Sequence, residues 1–176
     1  MFARNVGQVN AVLMTHSRLP LRLGELARAA NLPRQIVASA LQTLEKRGVA
    51  RRTRNGDHDV FAPDTSSPHY PSAYLAALVD LPFAPALTRF RPFAAFVYGS
   101  MATPGQATAQ SDLDLLVIGD FTDTDEVRTA LSIVGEQIGR RIDAFLLTPV
   151  ELEADRAKGD QHVRSALAGV RLFGEV

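Results

Sequence analysis

The chain has 176 residues, 46% hydrophobic and 22% charged, with equal numbers of Lys+Arg and Asp+Glu. That is a globular composition without a low-complexity tract, long enough for one ordinary domain or two small ones. No cysteine is present, which excludes disulfides and thiolate metal sites; no apolar run nears the eighteen or so residues of a membrane span and no leader pattern opens the chain, so the expected location is the cytoplasm.

The balanced charge divides unevenly. Residues 1–60 carry ten Lys+Arg against four Asp+Glu, a net of +6, and residues 61–176 carry nine against fifteen, a net of −6. A basic half beside an acidic one points to a polyanion partner for the first.

In chain order, Val6–His16 places Val6, Val9, Val12 and Leu13 at helical spacing. Leu23–Ala30 is a short second helix with Leu23, Leu26 and Ala27 on one face, broken by Asn31-Leu32-Pro33. A third helix, Arg34–Arg47, aligns Ile36, Val37, Ala40, Leu41 and Leu44, and Gly48 ends it. Val49–Arg54 and His58–Phe61 flank Asn55-Gly56, a strong hairpin signal. Three helices and a basic hairpin follow the order of a winged helix-turn-helix. Pro63–Pro71 reads as a linker and Pro71–Leu81 as a connecting helix.

From Phe93 the pattern changes. Phe93–Tyr98, Leu113–Ile118 and Ile142–Leu147 are apolar strand signatures. Asp123 and Glu126 offer a capping box before the stripe Val127, Ala130, Leu131, Val134 and Ile138, and Pro149 opens a polar helix. Strands alternating with helices indicate an α/β layer.

The second half also carries the sharper chemical pattern. Gly99-Ser100 is followed by a loop and then Asp112-Leu113-Asp114, and Asp143 lies in the next apolar strand. Residues two apart on a strand share a face, so Asp112 and Asp114 point the same way, with Leu113, Leu115 and Val117 expected on the opposite, helix-covered side. Two such carboxylates, completed by a third from a neighbouring strand, suit a hard divalent cation, and Mg²⁺ is the natural counter-charge. Gly99 permits close backbone approach and Ser100 adds a hydroxyl, which makes a phosphate cradle. His16, His58, His69 and His162 lack metal-ligand spacing and read as surface or packing residues. Arg140 and Arg141 precede the third strand; one of them could reach a phosphate, and a solvated strand edge is the first reading.

In the basic half, Gln35, Ala38, Ser39 and Gln42 fall at i, i+3, i+4 and i+7 of the third helix, opposite its apolar stripe. This polar face suits a major groove, with the glutamines reading adenine edges and Arg34 reading guanine or holding phosphate. Arg51, Arg52, Arg54 and His58 on the hairpin would meet the DNA backbone.

Gly99-Ser100, Asp112-Leu113-Asp114 and Ile142-Asp143-Ala144 resemble, in order and spacing, the nucleotidyltransferase superfamily that includes DNA polymerase β, and in particular its minimal bacterial members. Leu23 to Pro33, Val37 to Gly48 and Val49-Ala-Arg-Arg52 resemble winged-helix regulators of the ArsR and MarR kind, and the fusion of the two covers nearly the whole chain. The resemblance implies an α+β protein: a winged helix-turn-helix over 1–65, a linker with connecting helices over 66–92, and a minimal nucleotidyltransferase domain with a mixed sheet over 93–176. It implies Mg²⁺-dependent transfer of a nucleoside monophosphate from an NTP, ATP being the first choice, with release of pyrophosphate. Gly99 and Ser100 would then hold the triphosphate, Asp112 and Asp114 the metals, and Asp143 the catalytic metal and the acceptor's proton. It also implies double-stranded DNA, a homodimer, and an acceptor protein or toxin as partners. The sequence departs from the pattern in one place. Many minimal members carry Arg-Gly soon after Gly-Ser, whereas Met101-Ala-Thr-Pro104-Gly105-Gln offers no basic residue before Asp112. That departure supports the alternative expectation of a transcriptional regulator or antitoxin-like protein whose inactive nucleotidyltransferase domain senses NTP or pairs with a partner.

Overall fold

A computed structural model describes residues 2–176. The chain forms two compact units: one runs to Leu81 and takes in Gln137–Gly139, the other comprises Pro82–Glu136 and Arg140–Val176. Both mix helix and strand, so the chain is α+β.

The first unit contains helix α1 (Phe2–Thr15), strand β1 (Leu21–Arg22), helices α2 (Leu23–Ala29) and α3 (Arg34–Lys46), strands β2 (Ala50–Asn55) and β3 (His58–Pro63), and helix α4 (Tyr70–Asp80). Its sheet is antiparallel in the order β1-β3-β2. β1 escapes a periodicity argument because two residues carry no period. Val9 through Thr15 are all buried, so α1 is the central helix of this unit rather than an amphipathic surface one. It packs on α3 and α4, and Asn10 Nδ2 donates to the carbonyl of Ala73 at 2.9 Å. Tyr74, Ala77 and Leu78 of α4 are buried, and Tyr70 stacks at 5.8 Å on Tyr74.

Three details differ from the pattern read in the sequence. The segment expected to link domains is divided: α4 belongs to the first unit, while residues 82–92 belong to the second. A buried Tyr74 and Leu78 cannot leave α1 without exposing apolar surface, at roughly 1.5–3 kcal/mol per side chain. Ile36, placed on the apolar stripe of α3, is 38% exposed, because Val37, Ala40, Leu41 and Leu44 already fill the contact. The hairpin forms, but its register pairs Asn55 with His58, so Gly56-Asp57 are the central turn residues. Gly56 has φ +59° and Asp57 does not share a positive φ, the pattern of a type II′ turn.

The second unit runs α5 (Phe83–Leu87), β4 (Ala94–Tyr98), a 3₁₀ turn at Gly99–Ala102, β5 (Leu113–Ile118), α6 (Thr124–Ile138), β6 (Ile142–Leu147), α7 (Pro149–Lys158), α8 (Gln161–Leu167) and β7 (Val170–Gly174). Its sheet is mixed, in the order β6-β5-β4-β7. β5 and β6 are parallel, and β4 is antiparallel to both β5 and β7. Both faces are covered. Leu113, Leu115 and Val117 are fully buried, and Arg128 of α6 donates to the carbonyl of Ala144 at 2.8 Å. The aspartate side is equally apolar further along the strands: Phe96, Leu116, Ile118 and Leu147 pack with Leu152 of α7 and Val163 and Ala166 of α8. α8 and β7 were not foreseen, because a seven-residue helix and a half-exposed edge strand give weak periodicity.

Caps set the helix starts. Asp123 Oδ1 accepts from the backbone N–H of Asp125 and Glu126 to open α6. Thr148 and Glu151 form a reciprocal capping box on α7, and Asp160 accepts from Val163 N–H to start α8.

Candidate functional site

The parallel register of β5 and β6 pairs Leu113 with Ile142 and Asp114 with Asp143. The antiparallel register of β4 and β5 pairs Tyr98 with Asp114. Register partners on neighbouring strands point to the same face. Tyr98, Asp114 and Asp143 therefore stand in a row across three strands, at the end where β5 and β6 begin and β4 finishes.

Gly99 closes this row. Its φ is +66°, and a Cβ built on it would lie 2.1 Å from Asp114 Oδ2. The Asp114 carboxylate thus occupies the space a side chain at 99 would take, and the positive φ favours glycine independently. Met101, fully buried, anchors the same turn. Ser100 is half-buried beside it. Arg140 fixes the far end of the loop by donating from Nη1 to the carbonyls of Thr108 and Ser111, both at 2.7 Å.

Asp112 lies one residue before β5 and is held differently. Arg141 donates to its Oδ2 through Nε at 3.1 Å and through Nη2. That hydrogen bond, with the guanidinium charge, holds the Asp112 carboxyl below the usual range. Asp114 moves the other way: burial first, then the charges of Asp143 and Asp112, push its carboxyl up. The same causes, burial before Asp114 and Asp143, push the Tyr98 hydroxyl up to about 12. At ordinary pH Tyr98 is therefore neutral.

Tyr98 Oη and His162 Nε2 are 3.2 Å apart, and the His162 ring packs edge-on to Tyr98 at 5.3 Å and against Phe145 at 4.9 Å. α8 carries His162 to this place. Arg141 and His162 thus stand beside these aspartates, where the sequence pattern alone favours a solvated edge for the first and a surface or packing role for the second. The spacing of His162 from other ligand types is uninformative, since the contact is made across 64 residues. Arg141 had a usable signal: it stands two positions before Asp143, where an extended backbone continued back from β6 would put it on that residue's face.

The oxygen-only, acidic donor set of Asp114 and Asp143 fits a hard divalent cation. Among the described residues, no three His, Cys, Asp or Glu side chains are already gathered as a metal cage. Asp112 is the member turned to another partner.

Compared with protein-family models, curated proteins and solved structures, the chain matches none.

In the first unit, Arg34, Gln35, Ser39 and Gln42 are exposed on α3, and Arg51, Arg52 and Arg54 on β2. A cleft of about 650 Å³ lies between α2, α3 and the hairpin, lined in part by Arg28, Arg34, Gln42, Arg52 and His58. The arginines are not equivalent. Arg52 is drawn into ion pairs with Glu45 at 3.2 Å and Asp59 at 3.6 Å, so much of its charge is met within the unit. Arg54 donates from Nε to the carbonyl of Gly56 at 3.2 Å and stiffens the turn. Gln35 and Ser39 lie outside the cleft, on the helix face turned to solvent. No helix of the described residues is long and apolar enough to cross a membrane.

Proposed function

We propose that this protein binds double-stranded DNA through a winged helix formed by its first unit and transfers a nucleoside monophosphate from an NTP, ATP first, to an acceptor hydroxyl in its second. The observation that carries the reading is the row Tyr98–Asp114–Asp143 against Gly99. In this reading the Gly99-Ser100 turn positions the triphosphate. Asp114 and Asp143, joined by Asp112 when it leaves Arg141, would hold Mg²⁺. When bound, Mg²⁺ would offset charge on the phosphates and help activate the attacking oxygen. The acceptor oxygen attacks the α-phosphorus, the bond from that phosphorus to the β-phosphate's bridging oxygen breaks, and pyrophosphate leaves. Asp143, exposed at the rim, takes the acceptor's proton. Tyr98, neutral and tied to His162, keeps the Asp114 side of the site in place.

The winged-helix assignment is supported by the element order α1-β1-α2-α3-β2-β3, the sheet order β1-β3-β2, and the exposed polar face of α3 above a basic hairpin. Cytoplasmic location and a homodimer belong to the same reading.

One observation favours a second reading, a regulator that senses NTP without transferring it. Asp112 is engaged by Arg141, and the 101–111 loop carries no cation. Incubation with α-labelled ATP and Mg²⁺, with and without cell extract, separates the two. Label fixed on an acceptor by the wild type and lost in Asp143→Ala supports transfer. Mg²⁺–ATP stabilisation without label supports sensing. Neither label nor stabilisation removes both.

A further inference from the structure

We infer that Arg141 serves this site in two positions: as counter-cation of Asp112, as seen in the structure, and as a ligand of the nucleotide's phosphates once a divalent cation claims Asp112. The inference rests on the nucleotide-site reading above and adds to it the residue that recognises the polyphosphate.

A polyphosphate brought to three aspartates needs positive charge from the protein as well as from the metal. The loop after Gly99-Ser100 provides none between Met101 and Ser111. Of the two neighbouring arginines, Arg140 is committed to that loop's carbonyls at 2.7 Å. Arg141 is placed by the sheet itself. The register Leu113↔Ile142 sets Asp112 beside Arg141 at the mouth of the parallel pair. Arg141 lies one residue before β6, and its hydrogen bonds to Asp112 fix the direction of its side chain.

The tether is also a reversible one. The Arg141 side chain is 74% exposed, and its hold on Asp112 uses Nε and Nη2 of a group with five N–H donors. An exposed ion pair of this kind is weak against competing charge. A divalent cation on Asp112 replaces an attraction with a repulsion, and the guanidinium then has its best partner in the phosphate oxygens, whose geometry it matches bidentately. Metal and arginine thus compete for Asp112, while metal and polyphosphate favour each other.

Calorimetric titration of the full chain tests this with Mn²⁺ alone, then with tripolyphosphate in the presence of Mn²⁺. Arg141→Ala should bind Mn²⁺ more tightly than the wild type, because Asp112 is released. The same variant should bind tripolyphosphate about tenfold more weakly or worse, the size of a lost charge-assisted hydrogen bond. Arg141→Lys should recover part of the tripolyphosphate affinity, since it restores charge without the planar fork. Asp114→Asn should abolish both signals and so locate them. If Arg141→Ala binds Mn²⁺ no more tightly, or keeps wild-type tripolyphosphate affinity, the two-position role is wrong while the nucleotide site stands. A wild type that does not bind tripolyphosphate with Mn²⁺ overturns the inference and the site together. Arg141→Lys keeps the question decidable should Arg141→Ala fold poorly.

Discussion

At the scale of single residues, Gly99 and Asp114 are the pair on which the site depends. Gly99→Ala meets two obstacles, a φ of +66° and a Cβ placed 2.1 Å from Asp114 Oδ2. It should cost about 1–3 kcal/mol in urea unfolding. In Asp114→Ala the steric part disappears and only the backbone part remains, so the two substitutions should be non-additive in a double-mutant cycle. Asp114 also makes a pH prediction. Its folded-state pKa is raised above 3.8, so the folded protein holds that proton more tightly than the unfolded chain does. Stability from this group therefore falls as pH rises from the unfolded value through the raised one. Asp114→Asn should stabilise the protein at pH 7 in the presence of a chelator, and the gain should vanish toward pH 4. Melting curves from pH 4 to 8 check this; a loss of stability at pH 7 would show that the carboxylate is satisfied rather than repelled. Asp112 has the opposite sign. Its lowered pKa contributes stability above the unfolded value, and that contribution disappears as pH falls through the lowered one.

At the scale of elements, the two halves of the molecule present different surfaces. The exposed face of α3 and the outer edge of β2 are where duplex DNA would contact the first unit. Their residues should separate by role. Arg51→Ala should weaken binding to every sequence and reduce the log–log salt slope by about 0.9, one phosphate's worth. Gln35→Ala should instead relax base preference by about 1–3 kcal/mol if that side chain makes a bidentate base contact. Arg52→Ala should have the smaller effect of the two hairpin arginines, because Glu45 and Asp59 already meet its charge. Fluorescence titrations over a salt series, on specific and random duplexes, distinguish these outcomes. Equal losses for Arg51→Ala and Arg52→Ala would contradict the ion-pair argument.

At the scale of the whole molecule, the division after Leu81 changes what a self-folding N-terminal piece must contain. A fragment ending at residue 65 lacks α4 and exposes the α1 face that packs on Tyr74, Ala77 and Leu78. Three such side chains represent several kcal/mol, a large share of the stability of a domain this small. A fragment of residues 1–81 should therefore melt cooperatively by circular dichroism, and one of residues 1–65 should not. If the shorter piece melts as sharply at the same temperature, α4 is a tether and not part of the core.

The sequence by itself determined the elements with a clear period or punctuation. Leu113–Ile118 and Ile142–Leu147 have the predicted bounds, α3 begins at Arg34 after the Asn31-Leu32-Pro33 break, and the hairpin forms around Gly56. The candidate pattern Asp112, Asp114 and Asp143 stands out in the sequence because carboxylates within or at the start of apolar strand segments are conspicuous. Tertiary structure decided what no local pattern encodes. Strand register made Asp114 and Asp143 neighbours and set Arg141 against Asp112. Packing of α8 brought His162 to Tyr98 over 64 positions of sequence. Burial all around α1 depended on α3 and α4 closing on it, which a helical period read from one segment does not contain. The physical reason is common to all three. Periodicity and turn chemistry act between residues a few positions apart, whereas a site and a core are made by contacts whose partners the chain supplies from far away.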